Sequence, residues 1–225
     1  MRSVVRWTLP AELERGQTAA AAALLRTYFC DVESDGSPRY PGAVFERFGG
    51  GGDRSEIADV FTAEDVVAVS LLSVRVPGSA ALRMLERDRA GLSGLLESIP
   101  ADLDLVDAEI DILDEDSPAD RLWRALRSAG VGPVTTSKLL ARKRPRLLPV
   151  IDSVVKQVLD HPDRHSYWMT LRSALRDDER ALVEILAAAR TDAGLSEDIS
   201  LIRCFDVVVW MVGRRDSQLR PRGRY

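Results

Sequence analysis

Asp152 is the residue of this sequence whose setting points most directly to chemistry. It is the only acid between Arg121 and Lys156, a stretch that also holds nine basic residues. A carboxylate surrounded by cations stays ionised, and in that state it can stabilise a developing positive charge and position or deprotonate an attacking water. The sequence therefore indicates Asp152 as a candidate catalytic residue.

Asp152 also has a purely structural interpretation. It directly precedes Ser153, Val154 and Val155, which open a helical pattern, and aspartate is a good N-cap residue. Lys156, one turn later, is positioned to pair with it. A cap at the rim of a groove already faces outward, so the capping and catalytic roles can coexist.

A glycine turn lies upstream of Asp152. A helical pattern that includes Leu122 and Leu126 runs into Gly130-Val131-Gly132, where glycines can adopt left-handed dihedrals and reverse the chain. Pro133 suits the first position of a second helix. Unpaired N–H groups at such a turn attract phosphate oxygens. The pattern predicts a helix-hairpin-helix whose turn, Gly130, Val131 and Gly132, binds a phosphate.

Charge is distributed unevenly along the chain. The net charge of -4 conceals a segment, Ala101 to Asp120, with nine acids and no base, followed by the basic stretch. The basic second helix of the hairpin is expected to neutralise phosphates beside the turn through Lys138, Arg142, Lys143 and Arg144. The acidic segment is predicted to form a solvated amphipathic helix that could cover the basic stretch.

The hairpin and Asp152 together resemble the helix-hairpin-helix DNA glycosylase superfamily. The resemblance lies in the run GVGPVTTSKLL, the apolar approach LLPVI and an aspartate that opens a helix. It implies an all-α, two-lobed helical bundle that binds DNA. It also implies that Asp152 acts on a nucleotide flipped out of the duplex, and that a monovalent cation at the hairpin is the one cofactor to consider.

Departures from the glycosylase pattern limit what the resemblance implies. Members that also cleave the DNA strand carry a lysine two residues past the second hairpin glycine, where this chain has Val134, so no lyase step is expected. Pro133 removes one backbone donor from the turn. Iron–sulfur members need four clustered cysteines, whereas this chain has only Cys30 and Cys204. An iron–sulfur cluster is therefore excluded.

The whole chain resembles an uncharacterised bacterial domain family more closely. The phrases FGGGGD, FTAEDVVAVSLLSV and SKLLARKRPRLLPVID carry this second resemblance, which implies no activity. The glycine run Gly49 to Gly52 lacks the Gly-Lys-Ser/Thr of a phosphate loop and is interpreted as a mobile or tightly folded loop.

Composition and length define the class of protein. The 225 residues are 45% hydrophobic, which is enough for a buried core. No secretory pattern and no run of eighteen apolar residues is present, so a cytoplasmic protein without a membrane partner is expected. His161 and His165 stand four apart without a third ligand and are interpreted as surface or capping residues, and no metal is expected. Both cysteines are predicted to be buried thiols.

The predicted architecture is all-α with two lobes and a groove between them that presents Asp152. The helical signals include a capping pattern at Thr62 and Asp65. The predicted segments are residues 1–56, an N-terminal helix and irregular loop of the second lobe; 57–156, the central lobe with the hairpin; 157–213, C-terminal helices closing the second lobe; and 214–225, a disordered basic tail.

Three functions follow from these observations. The first is a DNA-binding protein that is also a monofunctional N-glycosylase. The second is a nucleic-acid-binding scaffold without catalysis, and the third is a protein-interaction module with a basic face. Isolated aromatic residues such as Trp7 and Tyr40 are interpreted as core or loop anchors, although either could stack on a base.

Overall fold

The chain folds into packed helices. A computed structural model describes residues 5–127, 130–162 and 166–219, with side chains described as far as residue 215. Within these ranges there are ten α-helices and no β-strand, which confirms the predicted all-α class. The helices are α1 (Thr18–Cys30), α2 (Ala63–Ser70), α3 (Gly78–Leu82), α4 (Arg89–Glu97), α5 (Pro118–Leu126), α6 (Pro133–Lys143), α7 (Ser153–Val158), α8 (Tyr167–Arg176), α9 (Ala181–Asp192) and α10 (Leu201–Leu219).

Local capping chemistry sets several helix starts. The Thr62 amide donates to Asp65 Oδ2 over 2.9 Å at the start of α2, which confirms the predicted capping pattern. The Asp120 amide donates to the Ser117 hydroxyl over 3.1 Å at the start of α5. These caps place α2 and α5 where the sequence signals predict them.

The helices form two packing groups that share one continuous hydrophobic core. In one group α1 packs against α9 and α10, α8 packs against α9, and α7 packs against α10. In the other group α2 and α5 pack against α6, and α4 packs against α5. Because α7 packs against α10, the helix that Asp152 opens belongs with the C-terminal helices.

None of the described helices is both long enough and apolar enough to cross a bilayer.

The acidic segment, residues 101–120, is not the predicted amphipathic helix. It consists mainly of turns, with a short 3-10 helix at Ile110–Ile112, and α5 begins only at Pro118. The Leu105 amide donates to the Arg146 carbonyl over 2.9 Å, and the Arg146 side chain pairs with Asp104. These contacts with the segment that follows α6 hold the backbone in an irregular path that local helical periodicity does not reveal.

The last helix continues beyond the predicted boundary. The predicted disordered tail begins at residue 214, whereas α10 extends through Leu219, so that prediction is wrong for residues 214–219. The Arg214 guanidinium lies 5.4 Å from the Trp210 ring centroid, and Arg215 pairs with Glu12 over 2.7 Å. Arginine is a good helix former, so this basic end can remain helical once its side chains have partners. Residues 220–225 lie outside the described residues.

Gly213 provides a test of how closely α10 approaches α7. A Cβ at Gly213 would lie 2.5 Å from Val154 Cγ1, whereas a Cβ at Gly94 in α4 would meet nothing within 4 Å. Gly213→Ala is expected to lower the free energy of unfolding by about 1–3 kcal/mol through overpacking. Gly94→Ala is expected to raise it by up to about 1 kcal/mol through helix propensity. Urea denaturation measures both changes, and equal stabilisation by the two substitutions would contradict the close approach.

Candidate functional site

Asp152 lies at the N-cap of α7. Its Oδ1 accepts a hydrogen bond from the Val154 amide over 2.9 Å, which confirms the capping interpretation. Its Oδ2 lies 3.3 Å from Lys138 Nζ, and 20% of the side chain is exposed. The carboxylate is therefore held in place on two sides while part of it faces open space.

That open space is a cavity of about 460 Å³ between the two packing groups. Small-molecule sites commonly fall in the range of about 300–1,000 Å³. The cavity wall includes Tyr28, Tyr40, Lys138, Asp152, Asp206 and Trp210. The cavity thus combines aromatic rings with charged groups that come from distant parts of the chain.

Three aromatic rings form one wall of the cavity. The rings of Tyr28 and Tyr40 are stacked, with centroids 5.2 Å apart and an interplanar angle of 15°. The Trp210 ring meets them edge-on, at 5.8 Å from Tyr28 and 5.9 Å from Tyr40. Such an arrangement is favourable for aromatic rings and suits contact with a further planar group. No pattern in the sequence indicates that Tyr40 and Trp210 meet.

Lys138 lies on the charged side of the cavity, where it has internal partners. Its Nζ donates to the Leu72 carbonyl over 2.7 Å and to Asp152 Oδ2 over 3.3 Å. Only 3% of the side chain is exposed. Lys138 is therefore placed to orient Asp152, and its burial argues against the predicted contact with a phosphate strand.

Arg203 and Asp206 bring a second charged group into the cavity wall from α10. Arg203 donates to Asp206 Oδ2 through Nη1 and to the Tyr28 hydroxyl over 3.0 Å through Nη2. Its Nε lies 2.6 Å from Glu46 Oε1. Sequence reasoning missed both residues because it treated α10 as a core helix. The sequence signal that could have found them is the pair of opposite charges, Arg203 and Asp206, three residues apart in an otherwise apolar run.

Burial changes the acid–base properties of this group. Burial, reinforced by the charge of Asp152 and opposed by Arg203, raises the pKa of Asp206 to about 6. Burial likewise raises the pKa of Glu46, against the opposing charge of Arg203. Asp206 can therefore change its protonation state near neutral pH, which is a property often found in functional carboxylates.

Arg142 and Lys143 converge on a buried carboxylate rather than on solvent. Arg142 Nε lies 3.1 Å from Asp65 Oδ1, and Lys143 Nζ lies 2.6 Å from Asp65 Oδ2. All three side chains are at most 1% exposed. Burial lowers the pKa of Lys143, and the nearby charge of Asp65 counteracts that shift. The two cations thus form an internal ion-pair cluster.

The remaining donors of this basic run hold the glycine-rich loop. Arg142 Nη1 donates to the carbonyls of Phe45 and Glu46 over 2.6 and 2.7 Å. Lys143 Nζ donates to the Gly52 carbonyl over 3.0 Å. A Cβ at Gly52 would lie 2.5 Å from the Arg142 carbonyl oxygen, so only glycine fits there. The loop is tightly folded against α6, in agreement with one of its two predicted interpretations.

Arg144 is equally occupied inside the protein. It donates to the carbonyls of Ile99 over 2.8 Å and Leu96 over 2.6 Å, and it pairs with Asp59 over 2.5 Å. Only 1% of its side chain is exposed. Together with the burial of Arg142 and Lys143, this argues against the predicted neutralisation of phosphates. A sequence shows that residues are basic, but it does not show which way they point.

The two glycines of the hairpin turn are at the surface. Gly130 is exposed and has a φ of +84°, as predicted for a left-handed glycine, whereas Gly132 has a φ of -82° and is the N-cap of α6. Val131 between them is buried and joins the hydrophobic core. A Cβ at Gly130 would lie 2.6 Å from Pro77 Cγ, so the turn packs closely against the α2–α3 connection. That connection includes Ser73, which lines the cavity.

Exposed arginines lie near these features. Arg39 and Arg214 line the cavity, and Arg75 belongs to the connection that packs against the hairpin turn. Arg127 lies at the end of α5, just before the turn. All four are exposed, and none of them is among the predicted phosphate-neutralising residues Lys138, Arg142, Lys143 and Arg144. They add exposed positive charge around the cavity and the hairpin turn.

Other predicted features lie away from the cavity chemistry. His161 is buried, and its Nδ1 accepts a hydrogen bond from Trp7 Nε1 over 3.1 Å, so the surface interpretation is wrong. Trp7 is itself buried in the core. His165 lies outside the described residues.

The two cysteines differ from each other. Cys30 is exposed, so its predicted burial is wrong, whereas Cys204 is buried as predicted and its burial raises the pKa of its thiol to about 12. Among the described residues, no three His, Cys, Asp or Glu side chains come together as a metal site.

Comparison with known proteins identifies the family. A family model described as a family of unknown function, DUF6308, matches residues 21–213. The chain belongs to this family. The match includes the hairpin, Asp152 and every residue of the aromatic wall. No curated protein and no solved structure matches the chain significantly.

The Asp65 cluster leads to a prediction about stability. Asp65→Asn is expected to lower the free energy of unfolding by about 3–5 kcal/mol, because it leaves buried cations without their carboxylate. The matched control is Asp116→Asn, which breaks an exposed pair with Arg124 and is expected to change stability by less than about 1 kcal/mol. Chemical denaturation compares the two. A loss below about 1 kcal/mol for Asp65→Asn would show that the cluster contributes little to stability.

Proposed function

We propose that the protein binds nucleic acid, with DNA as the favoured partner, and that its cavity receives a base flipped out of the strand. The observation that carries the proposal is that Asp152, held by Lys138, shares one cavity with the stacked rings of Tyr28 and Tyr40. A planar base can stack on such rings, and a carboxylate beside it would face the attached sugar. This proposal retains the implied relationship to helix-hairpin-helix glycosylases as a hypothesis.

Binding of the strand is assigned to backbone groups and exposed arginines. The surface turn at Gly130 and Gly132 would hold a phosphate through the N-terminus of α6, with or without a monovalent cation. Arg75 and Arg127 lie beside this turn, and Arg39 and Arg214 lie at the cavity. In this proposal they take the role that the sequence first suggested for the buried cations of α6.

Base excision is the reaction that the cavity supports best. The bond between the sugar carbon and the base nitrogen would break with its electron pair leaving on the nitrogen. Asp152 would stabilise the positively charged sugar and accept a proton from the water that attacks it. Lys138 Nζ donates hydrogen bonds to the Leu72 carbonyl and to Asp152, so it is not free to attack the sugar as a nucleophile. The proposal is therefore a monofunctional N-glycosylase without a lyase step.

A second candidate is a nucleic-acid-binding scaffold without catalysis. It is favoured by the fact that both oxygens of Asp152 already have partners, the Val154 amide and Lys138. A cap that also anchors a buried lysine has a sufficient structural role. This candidate predicts binding of nucleic acid without release of any base. The third candidate, a protein-interaction module, predicts neither binding of nucleic acid nor release of a base.

Substitutions at Gly132 test the binding of the strand. A side chain at Gly132 would meet nothing within 4 Å, and aspartate and serine are both good N-caps. Gly132→Asp is expected to weaken DNA binding at least tenfold by repelling the phosphate, whereas Gly132→Ser is expected to stay within about threefold. Electrophoretic titrations with single- and double-stranded DNA at two salt concentrations measure both effects. Equal affinities of the two variants would remove the turn from the interface.

Substitution of Asp152 tests the chemistry. Asparagine caps a helix about as well as aspartate, so Asp152→Asn keeps the hydrogen bond to the Val154 amide while removing the charge. Release of a base from a panel of damaged duplexes is expected to slow by about 10²–10⁴-fold. Circular dichroism checks that α7 remains folded. Unchanged release by Asp152→Asn would refute the catalytic assignment, and binding without release by the wild type would support the scaffold.

A further inference from the structure

Arg39 and Arg214 carry the exposed charge on the wall of the cavity that Asp152 lines. The other charged residues that line the cavity within the described ranges are buried or mostly buried, and they form two pairs: Lys138 with Asp152, and Arg203 with Asp206. The charge that is accessible from the cavity is therefore mainly positive. A cleft with accessible charge of one sign attracts a ligand of the opposite sign, so the wall favours an anion.

The present partner of Arg39 does not prevent a ligand from binding. Arg39 Nη1 lies 3.5 Å from Asp31 Oδ2, and the two side chains are 56% and 41% exposed. An exposed ion pair of this kind contributes little to stability. A phosphate can accept two parallel hydrogen bonds from one guanidinium, so it competes well for this arginine.

Both arginines lie beside the accessible rings of the aromatic wall. The Arg214 guanidinium carbon lies 5.4 Å from the Trp210 ring centroid, and Arg39 directly precedes Tyr40 in the chain. The rings of Tyr40 and Trp210 are half-buried, with centroids 5.9 Å apart, whereas Tyr28 is only 5% exposed. The wall thus offers flat apolar surface and positive charge side by side, which suits a ligand that is both planar and anionic.

We propose that the cavity accepts one whole nucleotide, with its base against Tyr40 and Trp210 and its own phosphate on Arg39 and Arg214. This inference rests on the proposed function and names the ligand of the same cavity more closely. The volume of about 460 Å³ lies within the range of about 300–1,000 Å³ that is usual for small-molecule sites. Because the rings and the arginines line one cavity, a free nucleoside monophosphate should bind without the rest of a strand.

Titration with parts of a nucleotide tests the inference on the wild type. The ligands are the 5′- and 3′-monophosphates of the four deoxynucleosides, the deoxynucleosides themselves, and 2-deoxyribose 5-phosphate, which has no base. Isothermal titration calorimetry near pH 7.5 is expected to show that at least one monophosphate binds about tenfold or more tightly than its nucleoside, since charge-assisted hydrogen bonds are the strong ones. The same monophosphate is expected to bind about tenfold or more tightly than 2-deoxyribose 5-phosphate, because base stacking is lost without the base.

Substitution of the two arginines tests where the phosphate lies. Arg39→Gln and Arg214→Gln each remove a charge from an exposed position, and each is expected to lower the affinity for the monophosphate by about fivefold or more. The affinity for the nucleoside is expected to change by less than about twofold in both variants, since it carries no phosphate. The matched control is Arg176→Gln, at an exposed arginine of α8 that does not line the cavity, and its affinity for the monophosphate is expected to equal that of the wild type.

The outcomes separate this inference from the function on which it rests. If DNA binds in electrophoretic titrations but no monophosphate binds more tightly than its nucleoside, the nucleotide site is overturned and the proposed function stands. The site is also overturned if 2-deoxyribose 5-phosphate binds as tightly as the monophosphate, or if neither arginine variant lowers the affinity.

Binding of a monophosphate without any binding of DNA would keep the nucleotide site and overturn the proposed function. If neither DNA nor a monophosphate binds, both are overturned. A preference for the monophosphate that falls in at least one arginine variant and is retained in Arg176→Gln supports the inference.

Discussion

The contact of the Asp65 carboxylate with Arg142 and Lys143 is the interaction on which the rest of this structure depends. Asp65 also closes the capping box of α2, so one buried carboxylate joins the start of one helix to the end of another. Its cations in turn hold the glycine-rich loop through backbone carbonyls. Because an isolated buried charge is very costly, these groups must stay together, and they fix how α2, α6 and the loop meet.

The inward direction of this basic run changes how the protein can meet a phosphate. A cation that is fully hydrogen-bonded inside the protein contributes little to a surface contact, whatever its place in the sequence. The proposed contact uses instead the glycine turn before α6 and the exposed arginines around it and around the cavity. The proposed interface therefore relies on backbone N–H groups and arginines, which suit phosphate through geometry as well as charge.

The charged and aromatic side chains that line the cavity come from both packing groups. Helix α6 contributes Lys138, the N-terminus of α7 contributes Asp152, and α10 contributes Asp206 and Trp210. The stacked pair of Tyr28 and Tyr40 comes from the N-terminal part of the chain. Two carboxylates in different environments then share one space, and burial raises the pKa of Asp206 to about 6. Such a separation of environments is what allows neighbouring acids to take different roles.

The sequence by itself determined the helical class, the capping box at Thr62, the left-handed Gly130 and the capping role of Asp152, because each depends on residues a few positions apart. Only the tertiary structure decided which side chains are buried and which meet. The basic run of α6 points inward because Asp65, far away in the sequence, lies opposite it. The acidic segment is irregular because partners elsewhere hold it, and the aromatic wall exists because distant elements pack together. Local propensity acts over a few residues, whereas burial and ion pairing are set by the packing of the whole chain.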